Sequence, residues 1–152
     1  HDQVLGLARD HDGMFADEAM VITNTEVNSG NFIVHEAKAW LVDWEKAVVS
    51  YRYQDLGHFL VPTTTKWKTS FTFSPETRLD FLLLYGERAG LAMSLEELSL
   101  RTDILEKTIL LRALSWCFMA WYEYTRPGRT LTNNQTFATI NSYLDDLEWI
   151  VA

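Results

Sequence analysis

At 152 residues, 17.6 kDa and a net charge of −8, the chain has the size of one domain and too few basic residues for nonspecific nucleic-acid binding, which depends on displacing phosphate counterions. The lone cysteine, Cys117, excludes an internal disulfide and a cysteine-based zinc site, which favours a reducing compartment. The longest strongly apolar stretch, residues 113–122, is too short to span a bilayer, so we expect a cytoplasmic protein without membrane or nucleic-acid partners.

The first third of the chain predicts a short helix followed by a small β element. Apolar residues at positions 4, 5, 7 and 8 indicate a helix that ends near Asp12 and Gly13. A buried strand is predicted over residues 19–22, and a polar, turn-forming segment follows it. Residues 31–35 and 39–44 are predicted to form the two strands of a hairpin, joined by residues 36–38.

The remainder of the chain predicts helices. A short helix over residues 54–60 ends ahead of Pro62. Ser74 is a predicted N-cap, and Ser94 with Glu97 has the spacing of a capping box. The longest helix is predicted over residues 101–124 and the last over residues 135–151. The predicted fold class is therefore α+β and mainly helical, in a single domain over residues 1–152.

Three polar residues, Glu26, Asn31 and Asp43, lie where an apolar fold does not need them. Asp43 ends a run that reads as a buried strand, where an unpaired carboxylate costs several kcal/mol. Asn31 opens the preceding strand, so both residues lie at the open end of the predicted hairpin, where cross-strand neighbours are about 5 Å apart. An amide oxygen and a carboxylate at that distance can share one Mg²⁺. The simplest strand pairing, however, places Phe32 opposite Asp43.

The order of these residues is typical of kinase-type phosphotransferases. In such enzymes a loop carboxylate accepts the proton of the substrate hydroxyl, while an Asn and a strand-end Asp hold Mg²⁺ on the nucleotide phosphates. The base must face the acceptor oxygen, whereas the metal ligands face the phosphoryl group. Glu26, Asn31 and Asp43 follow one another in this order and with a hairpin between the last two.

This region also resembles the catalytic block of the aminoglycoside phosphotransferase and choline kinase group. Residues 24–31 read Asn-Thr-Glu-Val-Asn-Ser-Gly-Asn and are similar to its loop, whose usual form is His-Gly-Asp-x-x-x-Gly-Asn. Residues 41–45 read Leu-Val-Asp-Trp-Glu and are similar to its Ile-Asp-Trp-Glu metal-binding strand. Asp55 and Leu56 resemble the Asp-Leu pair that begins its next helix, where the Asp braces the catalytic loop. Together the motifs cover residues 21–60.

The resemblance implies a protein-kinase-like carboxy-terminal lobe in which a small β-hairpin bears the catalytic loop. Asn31 and Asp43 match the family and are the implied ligands of Mg²⁺ and, through it, of ATP. Glu26 is the implied catalytic base, at a position where the family has Asp, and Asn24 stands where the family has His. The implied substrate is a hydroxyl of a small molecule, and antibiotic, amino-alcohol and sugar-like acceptors all remain open.

The family's amino-terminal nucleotide lobe has no counterpart in this sequence. The chain contains no glycine-rich strand–turn–strand, begins at His1 without an initiator methionine, and has few residues ahead of the catalytic loop. We therefore expect a carboxy-terminal lobe that is inactive by itself and belongs to a longer phosphotransferase. The surface left by the missing lobe is expected to be partly apolar and to permit self-association.

Two alternative hypotheses, each from a different functional class, also remain open. A kinase-derived binding module with degraded catalysis is motivated by Asn24 and Glu26, which depart from the family pattern. A helical interaction domain with coincidental motifs is the other. The histidines show no metal-ligand spacing, and Cys117 is expected to be an inert core thiol.

Overall fold

The computed structural model describes residues 2–67, 69–130 and 133–151, and over these ranges the chain is α+β and mainly helical, as predicted. His1, where the sequence begins, lies outside the described residues. The strands are β1 Met20–Thr23, β2 Phe32–His35, β3 Lys38–Leu41 and β4 Val48–Tyr51. The helices are α1 Asp2–Asp10, α2 Tyr53–Leu60, α3 Pro62–Thr65, α4 Pro75–Ala89, α5 Leu95–Thr125, α6 Asn134–Asp145 and α7 Leu147–Val151. Across the described ranges, no helix is both long enough and apolar enough to cross a membrane.

The chain divides into two compact units, His1–Ile109 and Leu110–Ala152. The first unit holds the strands, the helices α1 to α4 and the beginning of α5. The second unit holds the rest of α5 together with α6 and α7. All of the predicted site residues lie in the first unit. The single domain over residues 1–152 stays a prediction.

The strands form two antiparallel pairs. β2 and β3 form the predicted hairpin, and β1 pairs with β4, a strand absent from the prediction. The residues of β4 favour a strand, but the whole β2–β3 hairpin and its flanking loops separate it from β1, so no turn indicates the pairing. The β1–β4 pair brings together the two ends of the segment that carries the predicted site.

The β2–β3 hairpin is one residue tighter than predicted. Its turn consists of residues 36 and 37 only, and Glu36 has a left-handed φ of +54°. Positive φ values are the geometry that two-residue hairpin turns favour. Phe32 consequently pairs with Leu41, so the simplest pairing, with Phe32 opposite Asp43, is wrong.

The strands are less buried than predicted. Met20 and Ile22 of β1 are 53% and 70% exposed, whereas Thr23 is buried. Alternate residues of a two-stranded sheet face outward because only one of its faces is covered. β3 is also exposed, with Trp40 at 48%. Asp43 therefore does not end a buried strand, and burial of the strand gives no reason for a cation there.

The core of the first unit joins α2, α4 and α5 to the turn that precedes β1. Its buried residues are Phe15, Tyr53, Leu56, Leu60, Leu82, Leu98 and Ile104. The predicted Ser74 cap is confirmed, since its hydroxyl accepts the N–H of Thr77 at 3.2 Å. At the predicted capping box, the Ser94 hydroxyl accepts the N–H of Glu97 at 3.1 Å, while the Glu97 carboxylate pairs with Arg101. The second cap begins α5 at residue 95, so the helix predicted from residue 101 is longer than expected.

A largely buried ionic network fixes the start of α2. The Glu18 carboxylate accepts hydrogen bonds from the Tyr53 hydroxyl at 2.9 Å, from Arg52 at 3.2 Å and from Arg101 at 2.8 Å. Tyr53 is fully buried, and burial is the main cause that raises its pKa to about 12. Because these partners come from α2, α5 and the segment before β1, the network holds α2, and with it Asp55, in position.

The second unit contains the cysteine. Cys117 is 2% exposed, and burial raises its pKa to about 11, so the thiol stays protonated at neutral pH, as expected of an inert core thiol. Phe118 and Tyr122 are exposed, although their spacing on α5 predicts core positions. The helix predicted over residues 135–151 divides into α6 and α7 at Asp146.

Candidate functional site

Two loops lie side by side where the strand pairs end. The first loop, residues 24–31, joins β1 to β2, and the second loop, residues 42–47, joins β3 to β4. The β1–β4 pairing places the start of the first loop beside the end of the second. At the other end, the Asn31 carbonyl accepts the N–H of Val42 at 2.9 Å. Every predicted catalytic or metal-binding residue lies on one of these two loops.

Asn24 fastens the first loop to the second. Its side chain is fully buried, and Nδ2 donates to the carbonyl oxygens of Asp43 at 3.0 Å and Val42 at 3.4 Å. Its Oδ1 accepts the N–H of Glu26 at 3.0 Å. An amide side chain suits this position because it both donates and accepts. One side chain thus links the backbones of two predicted site residues.

Asp55, in the first turn of α2, braces the first loop. Its Oδ2 accepts the N–H of Asn24 at 2.7 Å and its Oδ1 accepts the N–H of Thr25 at 2.8 Å. Hydrogen bonds to an ionised acceptor are shorter and stronger than neutral ones. The bracing role predicted for Asp55 is confirmed.

Both loops contain a residue with left-handed backbone geometry. Thr25 has φ +67° and Asp43 has φ +61°. The left-handed region of backbone dihedral angles raises the free energy of most residues by on the order of 1–2 kcal/mol, and β-branched residues seldom adopt it. Thr25 is held there by Asp55 and by its own hydroxyl, which donates to the Lys46 carbonyl at 3.1 Å. Asp43 also lies beyond the end of β3, because the strand predicted to reach residue 44 stops at Leu41.

The Glu26 carboxylate pairs with the ammonium group of Lys46 across the two loops. Glu26 Oε1 and Lys46 Nζ are 2.6 Å apart, and the two side chains are 29% and 60% exposed, respectively. The hydrogen bond to Glu26 is the main cause that raises the pKa of Lys46. An ion pair this exposed contributes little to stability, so its main effect is to hold the Glu26 carboxylate beside Lys46.

Asn31 is oriented by the first loop. Its Nδ2 donates to the Glu26 carbonyl at 2.8 Å. Within the part of the chain that the structure describes, its Oδ1 accepts no hydrogen bond. The amide oxygen is therefore available as a ligand while the amide nitrogen fixes the side chain to the loop.

Three carboxylates converge where the loops meet. Glu26, Asp43 and Glu45 each offer an oxygen, and these oxygens lie within 4.8 Å of one another. Carboxylate and amide oxygens are the donors that Mg²⁺ and Ca²⁺ prefer. The structure thus brings Glu26 and Asp43 together, and it links Asn31 to Glu26 through the amide hydrogen bond and to the second loop through its backbone.

The residue pattern misses three contributors to this site. Glu45 ends the run Leu-Val-Asp-Trp-Glu that resembles the family's metal-binding strand, but only Asp43 of that run is predicted to be a ligand. Asn24 and Lys46 act through contacts with residues 19 and 20 positions away in the chain. Those contacts depend on how the two loops are brought together, and no local pattern specifies them.

Comparison with protein-family models, with curated proteins and with solved structures finds no match to this chain. The resemblance to the aminoglycoside phosphotransferase and choline kinase group therefore stays a prediction that depends on residues 21–60.

Proposed function

We propose that the chain is the kinase-like carboxy-terminal lobe of an ATP-dependent phosphotransferase of the aminoglycoside phosphotransferase and choline kinase type. The observation that carries this proposal is the position of the Asn24 side chain, which hydrogen-bonds to the backbones of Glu26 and Asp43. The carboxylate oxygens of these two residues lie within 4.8 Å of each other. Two details support the alignment with the family loop. The usual family form has Gly at the position of Thr25, whose φ of +67° suits Gly, and Asp55 braces the loop as the resemblance implies.

The donor set fits a magnesium ion. Asn31 Oδ1 and the Asp43 carboxylate are the ligands that the resemblance implies for Mg²⁺, and the Glu45 carboxylate lies close to that of Asp43. When bound, Mg²⁺ offsets the negative charge of the ATP phosphates. Glu26 would accept the proton of the acceptor hydroxyl while that oxygen bonds to the γ-phosphorus and the bond to ADP breaks. The acceptor is a small molecule with a hydroxyl group.

The metal assignment predicts that Asp43→Asn and Asn31→Ala each weaken Mn²⁺ binding by about tenfold or more, because each removes a ligand oxygen or its charge. Free Mn²⁺ in solutions of the 152-residue chain can be measured by electron paramagnetic resonance. Asp80→Asn, at an exposed acidic position on α4, changes the net charge by the same amount as Asp43→Asn and is expected to leave binding unchanged. Binding by Asp43→Asn and Asn31→Ala equal to that of the wild type would overturn the assignment.

The role of Glu26 is to be tested in a protein that joins this chain to an amino-terminal nucleotide lobe, as the proposal requires. That protein is expected to bind ATP·Mg²⁺ in isothermal titration, whereas the 152-residue chain alone is expected to bind it weakly. Tight binding by the chain alone would refute the inference that a nucleotide lobe is missing. Glu26→Gln is expected to abolish most of the phosphotransfer, and unchanged transfer would remove Glu26 as the base.

A kinase-derived binding module is the second candidate function. The observation that favours it is the short contact between Glu26 Oε1 and Lys46 Nζ, which occupies the oxygen that a base would use. Absence of any phosphotransfer or ATP hydrolysis by the longer protein, together with retained ATP·Mg²⁺ binding, would favour this module over the enzyme.

We also propose that the chain associates with a second copy of itself through exposed apolar side chains of its strands. Several apolar side chains of β1 to β4 are exposed: Met20, Ile22, Ile33, Val34, Trp40, Val48 and Val49. Exposed apolar surface of this kind drives association. Light scattering is expected to show a mass that increases with concentration, and Val34→Lys is expected to lower that mass. A monodisperse monomer at high concentration would contradict the proposal.

A further inference from the structure

A cavity of about 310 Å³ lies in the first unit, between the strands and the helices α2 and α4. Most of its lining is apolar and includes Val21, Val27, Phe32, Leu56, Phe59 and Phe81. Ile22 also lines it and is 70% exposed, so the cavity opens to solvent at β1. A cavity of about 150 Å³ holds one benzene molecule, so this one has room for two fused rings. Its volume falls at the lower end of the range for small-molecule sites.

Aromatic rings form one side of the cavity. The ring centroid of Phe59 lies 5.9 Å from that of Phe32, in an edge-to-face arrangement, and 5.0 Å from that of Phe81. Such arrangements are favourable between aromatic rings. A flat aromatic molecule in the cavity can extend these contacts, and it loses less conformational entropy on binding than a flexible aliphatic chain does.

Arg52 supplies hydrogen-bond donors to the lining. Its Nε donates to Glu18 at 3.2 Å, whereas its Nη1 and Nη2 donate to no side chain or carbonyl among the described residues. The Arg52 side chain is only 20% exposed, so water reaches these donors in part. A guanidinium group has no acceptor. A bound molecule therefore satisfies these donors only if it carries an accepting atom, such as a carbonyl oxygen.

The charges around the cavity are already matched. The positive charge of Arg52 is paired with Glu18, and the two oxygens of Asp55 accept the N–H groups of Asn24 and Thr25. An anionic molecule would come close to the carboxylates of Glu18 and Asp55 and find no unpaired cation in the lining. Burial of a charge without a partner is costly, whereas a neutral carbonyl needs only a donor.

We propose that this cavity is a binding site for a small, neutral aromatic molecule that carries a hydrogen-bond-accepting oxygen. The rings contact the phenylalanine side chains, and the oxygen accepts a hydrogen bond from Arg52. The inference does not rest on the proposed function, because none of the predicted catalytic or metal-binding residues lines the cavity. Val27 of the first loop and Asp55, which braces that loop, do line it, so the bound molecule lies next to the first loop.

The first experiment measures the binding of three soluble bicyclic probes to the 152-residue chain by methyl resonances. Coumarin is neutral and has an accepting carbonyl, indole is neutral and has none, and coumarin-3-carboxylate adds a negative charge to coumarin. Coumarin is expected to shift the methyl resonances of Val21, Val27 and Leu56. Indole is expected to bind about fivefold more weakly, because it cannot accept a hydrogen bond from Arg52, and the carboxylate at least about tenfold more weakly.

Arg52→Lys tests the hydrogen bond separately from the fold. Lysine retains the positive charge that pairs with Glu18 but has a single amino group, so no second donor remains for the cavity. The variant is expected to weaken coumarin binding by about fivefold and to leave indole binding unchanged. A purely structural effect of the substitution would weaken both probes alike and would overturn the assigned role of Arg52.

Val21→Phe tests the location, because the added ring occupies the cavity and is expected to abolish coumarin binding. Val151→Phe makes the same substitution at an exposed position on α7 and is expected to bind coumarin like the wild type. Circular dichroism checks that both variants retain the fold. Coumarin shifts confined to methyl groups elsewhere, no shifts up to the solubility limit, or tighter binding of coumarin-3-carboxylate than of coumarin would each overturn the inference.

Discussion

Replacing Asp55 with alanine is expected to lower the free energy of unfolding by about 3 kcal/mol, because the change leaves two backbone N–H groups without their charged acceptor. Those groups belong to Asn24, which is fully buried, and to Thr25, which is partly buried. Water reaches the Asn24 N–H poorly and cannot replace the lost hydrogen bond at little cost. Urea denaturation followed by tryptophan fluorescence measures the loss.

Asp55→Asn provides a graded comparison, because its amide retains one accepting oxygen. It is expected to lose roughly half as much stability as the alanine variant. Asp80→Ala on α4 is the matched control at an exposed position and is expected to stay within about 0.5 kcal/mol of the wild type. Hydrogen exchange at Asn24 and Thr25 is expected to accelerate in Asp55→Ala more than exchange elsewhere. A stability of Asp55→Ala within 0.5 kcal/mol of the wild type would show that the brace is not needed.

The fold was predictable from sequence where a few adjacent residues determine an element. The hydroxyls of Ser74 and Ser94 cap the helices that follow them, because an N-cap needs only a local acceptor and the next turn of N–H groups. β4 was not predictable in this way, because its partner is separated from it by the whole hairpin and no turn marks the pair. The exposure of Ile22 depends on whether another part of the chain packs on its face of the sheet, and the sequence of β1 does not contain that information.

The residues of the candidate site likewise include some that were predictable from sequence and some that were not. Glu26, Asn31 and Asp43 were singled out by residue type and order, and the structure brings the carboxylates of the first and last together. Asn24 was noted only as a departure from the family loop, and Lys46 was not noted at all, because their contacts with Asp43 and Glu26 exist only after the two loops have met. Asn24, at the position where the resemblance implies a His, thus has a structural role of its own, because it fastens both loops.

Replacing Gly57 with alanine is expected to lower the free energy of unfolding by about 2 kcal/mol, because α2 packs against the backbone of α5 at this residue. A Cβ added to Gly57 would lie 2.9 Å from the Glu106 N and 3.1 Å from the Glu106 Cα. These are backbone atoms in the interior of a long helix, so they cannot turn aside as a flexible side chain would. The two helices must separate, and the core around Leu56 must loosen with them. Thermal or urea unfolding measures the loss.

Gly86→Ala is the matched control, because Gly86 also lies inside a helix, α4, but has room for a methyl group. Its nearest contact would be the side-chain atom Leu98 Cδ2 at 3.4 Å, an ordinary van der Waals distance. Alanine is favoured over glycine in a helix by up to about 1 kcal/mol, so Gly86→Ala is expected to stabilise the protein. The same substitution is thus expected to have opposite signs at the two positions, because backbone atoms lie within 3.1 Å of the added Cβ at Gly57 but not at Gly86. Equal effects at both positions would mean that α2 and α5 are not in close contact at Gly57.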